Sequence, residues 1–588
     1  MKKYSQYPSN YDKFPAVEVP EPYADDCRTG WESVLGQLRE ALEKRDKQKT
    51  VLVVECYQGV DDTELLEGLR RLAPAALFGS KAAMLSRQHL RDVTQKYVTD
   101  DEIFGYITPH TVDAWFDAKH TAEMRSRIDA VARGTVVVYG VGAAWVCPEW
   151  DILVYADMAR WEIQRRFRAG KASNVGLDNA GERASLQYKR AFFEDWRVCD
   201  RFKRTLMDRW DFVLDTTRPQ QPKLASGVSV RAALAAAAQR PFRVVPFFDP
   251  GPWGGQWMRE ICGLDADAPN YAWCFDCVPE ENSLLLRYRQ TTVEIPSIDM
   301  VFAQPEHLLG RAVYERFGAE FPIRFDFLDT MQGGNLSLQV HPLTEYIRNT
   351  FGMAYTQDES YYMLDTGEGA AVYLGLRNGA EPEAMLQALE EARRTGTFDA
   401  EKYVGKYPVH KHQHVLIPAG TIHCSGRNAM VLEISATPFI FTFKLWDWGR
   451  LGLDGRPRPI NIAHGRNVIQ WNRDEEWVRR NILDRAKTLA EGSGWCEERT
   501  GLHELEFIET RRHWFTGPVE HDTQGNLNVL NLIEGREAIV ESPEGKFAPF
   551  TVHYAETFIV PAAVGKYTIR PINTYKDHPC GTIKAYIY

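Results

Sequence analysis

Nowhere in the 588 residues does an apolar run approach the roughly 18 residues that a membrane-spanning helix needs, so no membrane partner is expected. Positive charge is not in surplus either. Seventy Lys and Arg stand against 80 Asp and Glu, a formal net charge of −10, which argues against non-specific nucleic-acid binding. The ten cysteines form no tight framework and the first residues show no signal-peptide pattern, so a reducing cytoplasm is the expected compartment. Cys274 and Cys277 make a C-x-x-C with no second pair, and two ordinary thiols are the simpler account. What is present is typical of a soluble globular protein: 44% apolar and 26% charged residues. The length allows two or three domains, each with its own core.

Residues 1–30 are polar and rich in Tyr, Pro and Asp, and read as an arm lying on a neighbouring domain. From Trp31 to Arg45 the apolar residues Trp31, Val34, Leu35, Leu38 and Leu42 keep helical spacing. Val51–Val54 reads as a buried strand, followed by the loop Tyr57–Thr63 and a helix from Glu64. Strand, loop and helix in this order are the setting of a phosphate-binding loop. Laid on G-x-x-G-x-G-K-T, however, Cys56–Thr63 keeps only Gly59 and Thr63; Cys56 and Asp61 replace glycines and Asp62 replaces the lysine. Such a loop offers backbone amides and a cation to the phosphates, and two carboxylates there repel a nucleotide. Thr135–Gly140 and Asp151–Ala156 are further strand-like runs, and Met158–Arg168 carries Arg160, Arg165, Arg166 and Arg168 on a helical stretch. That stretch resembles the lid region of nucleoside-kinase-like proteins, although a solvated basic face explains it more simply. Residues 1–240 are therefore expected to form an α/β domain that resembles a degenerate P-loop kinase without working ATP chemistry.

From Phe242 the texture changes to short strand-like runs: Tyr271–Cys277, Ser283–Arg287, Thr291–Ile295 and Val313–Phe327. A helical insertion interrupts them at Glu381–Thr395, where Met385, Leu386, Leu389 and Ala392 keep helical spacing. Strands resume at His412–Ile417, Met430–Ile434 and Phe439–Lys444, Trp471–Glu491 reads as helical, and short strands run on to the C-terminus. Many short strands with turn signals imply barrels or sandwiches. The expected fold is thus an α/β N-terminal domain followed by mainly-β cupin-type barrels, divided as 1–240, 241–500 and 501–588.

Four side chains carry the chemistry. Gln339 and His341, two apart in Leu336–Pro342, project from one face of an extended strand. Glu359 opens an apolar, aromatic run, and His423 follows the turn Pro418-Ala419-Gly420. Two imidazoles, a carboxylate and an amide oxygen suit a hard-to-borderline divalent cation. With three neutral ligands and one anion, Zn2+ would keep a net charge of about +1 and an open position, the pattern of a catalytic centre. Gln339 admits a second account, as a hydrogen-bonding partner of the ligands. His410, His412 and His414 alternate along a presumed strand, where a partly solvated polar face is the simpler reading. Glu433 is a carboxylate inside the apolar run Val431–Ile434; burying it unpaired is costly, so a functional or ion-paired role is expected.

Leu336–Pro342, Asp358–Leu364, Ile417–His423, Val431–Glu433 and Lys444–Pro459, with Trp253-Gly254-Gly255 upstream, fall in an order that resembles the type I mannose-6-phosphate isomerases. The likeness spans roughly residues 246–475. It implies a zinc-dependent aldose–ketose isomerase that interconverts mannose 6-phosphate and fructose 6-phosphate through an enediol. It also implies zinc on Gln339, His341, Glu359 and His423, Glu433 near the substrate as the proton carrier, and Lys444 facing the enediolate or the phosphate. Arg450, Arg456 and Arg458 could supply further cations, or pack structurally. Two departures stand out. The chain has Thr442-Phe443-Lys444 where the family usually has Thr-x-Arg, and Thr356-Gln357-Asp358-Glu359 where many relatives have Gly-Lys-Thr-Glu. The pocket wall becomes more negative, and a lysine meets phosphate as a point charge rather than bidentately. Two other readings stay open: a non-haem iron oxygenase, and a non-catalytic or altered-specificity sugar-binding protein, including an isomerase of an unphosphorylated sugar.

Overall fold

The computed structural model describes every residue except 1–3, 5–6, 453–454, 456–457, 502 and 573–578. Its contacts divide the chain into two units, and the chain passes between them more than once. One unit comprises Ala16–Ala237 with Glu280–Gln304; the other comprises Met1–Pro15, Ala238–Pro279 and Pro305–Tyr588. The structure mixes α and β elements around many sheets. Among the described residues no helix is long and apolar enough to cross a membrane.

The first unit is built on a seven-stranded sheet with Lys49–Cys56 near its centre. Lys49–Cys56 pairs in parallel with Gly134–Gly140 and Ile152–Asp157, and the sheet turns antiparallel at Lys223–Ser226 and Cys27–Thr29. The helix Trp31–Glu43 packs Trp31, Val34, Leu35, Leu38 and Leu42 into the same core as Leu52, Val54, Ile152 and Val154. The hairpin Ser283–Arg287 and Thr292–Pro296 belongs to this unit and pairs with Ala16–Glu18. At its interior Lys203 is fully buried between Asp157 and Asp299, with Nζ 2.7 and 2.9 Å from their oxygens.

The second unit is dominated by antiparallel sheets. A six-stranded sheet runs His414–Ile417, Glu359–Thr366, Ala429–Ala436, Ile323–Asp329, Trp273–Cys277 and Phe247–Asp249. A five-stranded sheet runs Val404–Pro408, Ala371–Leu376, His423–Ser425, Leu338–Val340 and Phe443–Trp446. The candidate ligands come from both. The helical insertion is Pro382–Thr395, with Met385, Leu389 and Ala392 buried. Toward the C-terminus a six-stranded and a four-stranded sheet share the core of Leu530, Leu532, Val552, Phe558, Tyr567 and Ile569.

Three local expectations need correction. Val313–Phe327 is not one strand: Arg311–Phe317 is a helix bounded by Gly310 and Gly318, and the strand is Ile323–Asp329. Trp471–Glu491 is helical only over Glu475–Asn481. The next residues form the exposed strand Lys487–Gly492, held by pairing with Trp495–Gly501, a partner that local periodicity does not reveal. Only His414 of the three alternating histidines lies in a strand; His412 sits in a turn with φ of 68°.

Candidate metal centre

Register brings the first two candidates together. Gln339 is the antiparallel partner of His423, although 84 residues separate them in the chain. Their side chains meet at 3.2 Å, amide Nε2 to imidazole Nε2; turning the terminal amide by 180° puts its oxygen there instead. His341 lies just past the end of the same strand, and Glu359 enters from the other sheet. Glu359 Oε2 is 3.1 Å from His341 Nε2, and Glu359 Oε1 is 2.6 Å from His423 Nε2. One ligand atom from each of His341, Glu359 and His423 fits within a 4.8 Å span, and all three residues are buried.

The imidazoles are oriented by the backbone. His341 Nδ1 lies 3.2 Å from the Phe441 carbonyl and His423 Nδ1 lies 2.9 Å from the Thr421 carbonyl. A carbonyl can only accept, so both Nδ1 atoms carry the proton, and in the neutral ring each Nε2 presents a lone pair. Burial pushes His341 below the ordinary histidine range, and the two histidines hold Glu359 well below the usual carboxylate range against its own burial. Two imidazole lone pairs thus face an anion. His341 Nε2 and Glu359 Oε1 are buried without a hydrogen bond, the first 3.1 Å from Glu359 Oε2 and the second 2.6 Å from His423 Nε2. Such a set of donors fits a divalent cation of the borderline class, zinc included.

The turn before His423 is held from several sides. Asp358 Oδ1 accepts from Ala419 N at 2.8 Å, tying the turn to the strand that carries Glu359. Arg473 donates to the Pro418 and Ala419 carbonyls at 2.8 and 2.7 Å. Gly420 has φ of 87°, and a Cβ there would meet Gln470 Cγ at 2.7 Å. Glycine at 420 is therefore a geometric requirement of the turn that leads into His423.

Glu433 lies on the same sheet face as Glu359, since Ser435 is the register partner of Glu359 and Glu433 that of Tyr361. Its Oε1 is held by Arg324 Nη2 and by Ser435 Oγ at 2.9 Å, and Gln357 Nε2 bridges it to Glu359 at 3.4 and 3.0 Å. Burial pushes the Glu433 carboxyl well above its ordinary range; Arg324 pulls it back, while Glu359 and Asp326 add to the rise. Lys444 is the register partner of Gln339. It is half-buried, and its Nζ has no hydrogen-bonding partner among the described residues. Burial, aided by Arg458 and opposed by Asp447, pushes its ammonium down to about 7. Arg450 is engaged elsewhere: Nη2 lies 2.5 Å from Asp447 Oδ1, and Nη1 donates to the Asn335 carbonyl. Arg458 reaches the other oxygen of Asp447 at 2.8 Å. Arg456 lies outside the described residues.

In the first unit the loop after Lys49–Cys56 is closed by its own side chains. Asp61 caps the helix Asp62–Arg70, accepting from Thr63 N at 2.9 Å and Glu64 N at 3.2 Å. Arg166 donates to the Gly59 and Thr216 carbonyls, and Arg160 pairs with Asp200. These side chains occupy amides and cations that a phosphate would use.

Residues 30–239 match the family described as "Domain of unknown function (DUF8485)". The chain is also similar to proteins named as mannose-6-phosphate isomerases. A mannose-6-phosphate isomerase of Streptococcus mutans serotype c is 25% identical over 219 residues, 37% of this chain and 64% of that enzyme. The mannose-6-phosphate isomerase ManA of Bacillus subtilis (strain 168) is 23% identical over 228 residues, 38% of this chain and 66% of ManA. The Bacillus subtilis protein YvyI is 21% identical over 341 residues, 56% of this chain and 96% of YvyI. The chain thus spans nearly all of one relative and about two-thirds of the other two. Among solved structures, the mannose 6-phosphate isomerase from Bacillus subtilis aligns over 59% of this chain and 100% of its own, with 19% identity and a TM-score of 0.46.

Sequence reasoning missed Arg324, Asp326 and Ser435. The signal was there: Arg324 and Asp326 alternate with the apolar residues Ile323, Phe325 and Phe327 in the strand Ile323–Asp329, and all seven residues are buried. Charges on one face of a buried strand ask for partners.

Proposed function

We propose that the second unit is a metal-dependent aldose–ketose isomerase acting on a hexose 6-phosphate, with mannose 6-phosphate and fructose 6-phosphate as the leading pair. The observation that supports this most is the convergence of His341 Nε2, His423 Nε2 and Glu359 as unprotonated donors on one point, with the Gln339 amide beside them. The relatives named mannose-6-phosphate isomerases support the choice of reaction. In this reading Gln339, His341, Glu359 and His423 hold the metal, zinc by preference, in a cytoplasmic enzyme. A bound zinc ion supplies Lewis-acid stabilisation at the sugar oxygens. The protein supplies the rest. Glu433, on the sheet face that carries Glu359 and held through its Oε1, carries the proton between C1 and C2. Lys444 meets the enediolate or the phosphate as a point charge. The Asp61-capped loop and the carbonyl-bound Arg166 support an α/β unit that resembles a P-loop kinase but has no ATP chemistry of its own.

A second reading is favoured by one observation: the residue paired with Gln339 is Lys444 rather than an arginine. A lysine meets a phosphate as a single point charge and not bidentately, which favours an unphosphorylated sugar or a non-catalytic sugar-binding role. Turnover of a panel of free and phosphorylated aldoses and ketoses, with and without a chelator, separates the readings. Chelator-sensitive conversion of mannose 6-phosphate supports the first; conversion of free sugars alone, or none at all, overturns it.

A further inference from the structure

Glu433 is not a free carboxylate, and the way it is held suggests what holds it is part of the reaction. The strand Ile323–Asp329 pairs with Ala429–Ala436 so that Arg324 is opposite Ser435 and Asp326 opposite Glu433. Ser435 is in turn opposite Glu359 on the other side. Arg324, Asp326, Glu433, Ser435, Tyr361 and Glu359 therefore share one sheet face, the face of the metal centre. Arg324 is 4% exposed and makes three contacts there: Nη2 to Glu433 Oε1, Nε to Ser435 Oγ at 2.9 Å and Nη1 to Asp326 Oδ2 at 3.2 Å. Ser435 Oγ closes a small ring by donating to Glu433 Oε1 at 2.9 Å.

The contacts divide the two oxygens of Glu433. Arg324, Ser435 and Gln357 all converge on Oε1, and Oε2 makes no hydrogen bond among the described residues. A carboxylate fixed by one oxygen with the other unoccupied has one direction in which it can take or give a proton. We infer that Arg324 is a positioning residue of this site: it pins Glu433 through Oε1 so that Oε2 faces the sugar carbons. Asp326 balances the guanidinium and keeps it on the sheet face rather than on the substrate. The chemistry also explains why the anchor is an arginine. Its planar fork reaches Glu433, Ser435 and Asp326 at once, which a lysine's single ammonium does with less directional control. The step served is a proton transfer: Oε2 takes the proton from one sugar carbon, the electron pair left behind forms the C1–C2 double bond while the carbonyl pair moves onto its oxygen, a proton passes from one sugar oxygen to the other, and as the new carbonyl forms the same Oε2 returns its proton to the neighbouring carbon. No oxidant or co-reactant is required.

This inference rests on the isomerase reading, and its test keeps the two apart. The full-length chain is made as Arg324→Met, Arg324→Lys and Ser435→Ala, each checked for zinc content and measured with mannose 6-phosphate. Misplacing a proton-transfer group costs on the order of 100-fold, so Arg324→Met is expected to lower kcat by about that factor with KM within a few-fold of wild type. Arg324→Lys should recover part of the loss, and Ser435→Ala, which removes the hydroxyl's two hydrogen bonds and disturbs folding least, should cost about tenfold in kcat. Zinc content should stay unchanged in all three. Loss of zinc in parallel with kcat, or a kcat for Ser435→Ala and Arg324→Lys equal to wild type, overturns the inference. If the wild type converts no hexose, the isomerase reading itself fails. The clamp is then judged by crystal structures alone, supported if Glu433 leaves its position in Arg324→Met and returns in Arg324→Lys, and overturned if it never moves.

Discussion

Gln339 and His423 are antiparallel register partners, and their side chains touch at 3.2 Å on the buried face where Glu359 arrives from a different sheet. A one-residue slip of that pairing would turn either side chain to the opposite face. The centre therefore depends on strand register as much as on ligand identity.

Removing His341 or His423 should release the metal. The purified chain is expected to carry about one zinc per chain, counted by atomic emission after dialysis. Outer partners of metal ligands cost roughly 10–100-fold in affinity when lost, and His341→Ala or His423→Ala should cost more than that. Gln339→Ala should fall inside that range if the amide is a neighbour of the ligands, and beyond it if the amide is itself a ligand. Full activity in a metal-free preparation would contradict the proposed centre.

Lys444→Ala tests the phosphate. Loss of a charged contact in a desolvated pocket costs about 1.5–3 kcal/mol, roughly ten- to a hundredfold in kcat/KM for the phosphorylated sugar. Lys444→Arg should keep or improve that value if the pocket admits the fork. An unchanged kcat/KM in Lys444→Ala would make the position structural and shift weight to an unphosphorylated substrate.

His414 provides a pH test of stability. It is buried, its Nε2 lies 2.8 Å from Ser360 Oγ, and burial pushes it down to about 3, with Arg512 adding to the fall. The unfolded chain binds this proton near pH 6.5 and the folded chain does not, so stability is present above pH 6.5 and declines as pH falls toward 3. The slope from this one group is at most about 1.4 kcal/mol per pH unit. Urea titrations between pH 7 and 4 should show a shallower decline in His414→Gln than in wild type. Parallel declines would remove His414 from the account.

Gly255 in Trp253-Gly254-Gly255 has no room for a side chain. A Cβ there would lie 2.0 Å from Asp329 Oδ1 and 2.7 Å from Met331 N. Gly255→Ala should destabilise the chain by about 1–3 kcal/mol, as overpacking does, visible as a lower urea midpoint with an unchanged slope. A wild-type midpoint would show that the loop yields without cost.

The first unit should bind no ATP at micromolar concentration. Asp61 already accepts from the amides of Thr63 and Glu64, and Asp62 stands where a working loop has its lysine. Calorimetry with ATP and magnesium is expected to be silent. A micromolar dissociation constant abolished by substitutions within Cys56–Thr63 would reverse this view.

What residue order alone determined is local. The spacing of Trp31, Val34, Leu35, Leu38 and Leu42 specifies a helix because 3.6-residue periodicity places them on one face, and Glu381–Thr395 is legible for the same reason. Gln339, His341, Glu359 and His423 could be singled out because Gln339 and His341 share a strand face and because the motifs carrying all four fall in an order that resembles the type I mannose-6-phosphate isomerases. Tertiary structure decided whatever depends on partners distant in the chain. Lys487–Gly492 is a strand through its pairing with Trp495–Gly501, although none of its own residues is buried. Glu280–Gln304 belongs with the α/β unit because its hairpin finds Ala16–Glu18, more than 260 residues earlier. Arg450 is drawn to Asp447, while Arg324 reaches Glu433 because antiparallel register brings residues 109 apart to the same face. Periodicity is a property of neighbours in sequence; register is set by the free energy of the whole sheet, and only the folded chain contains it.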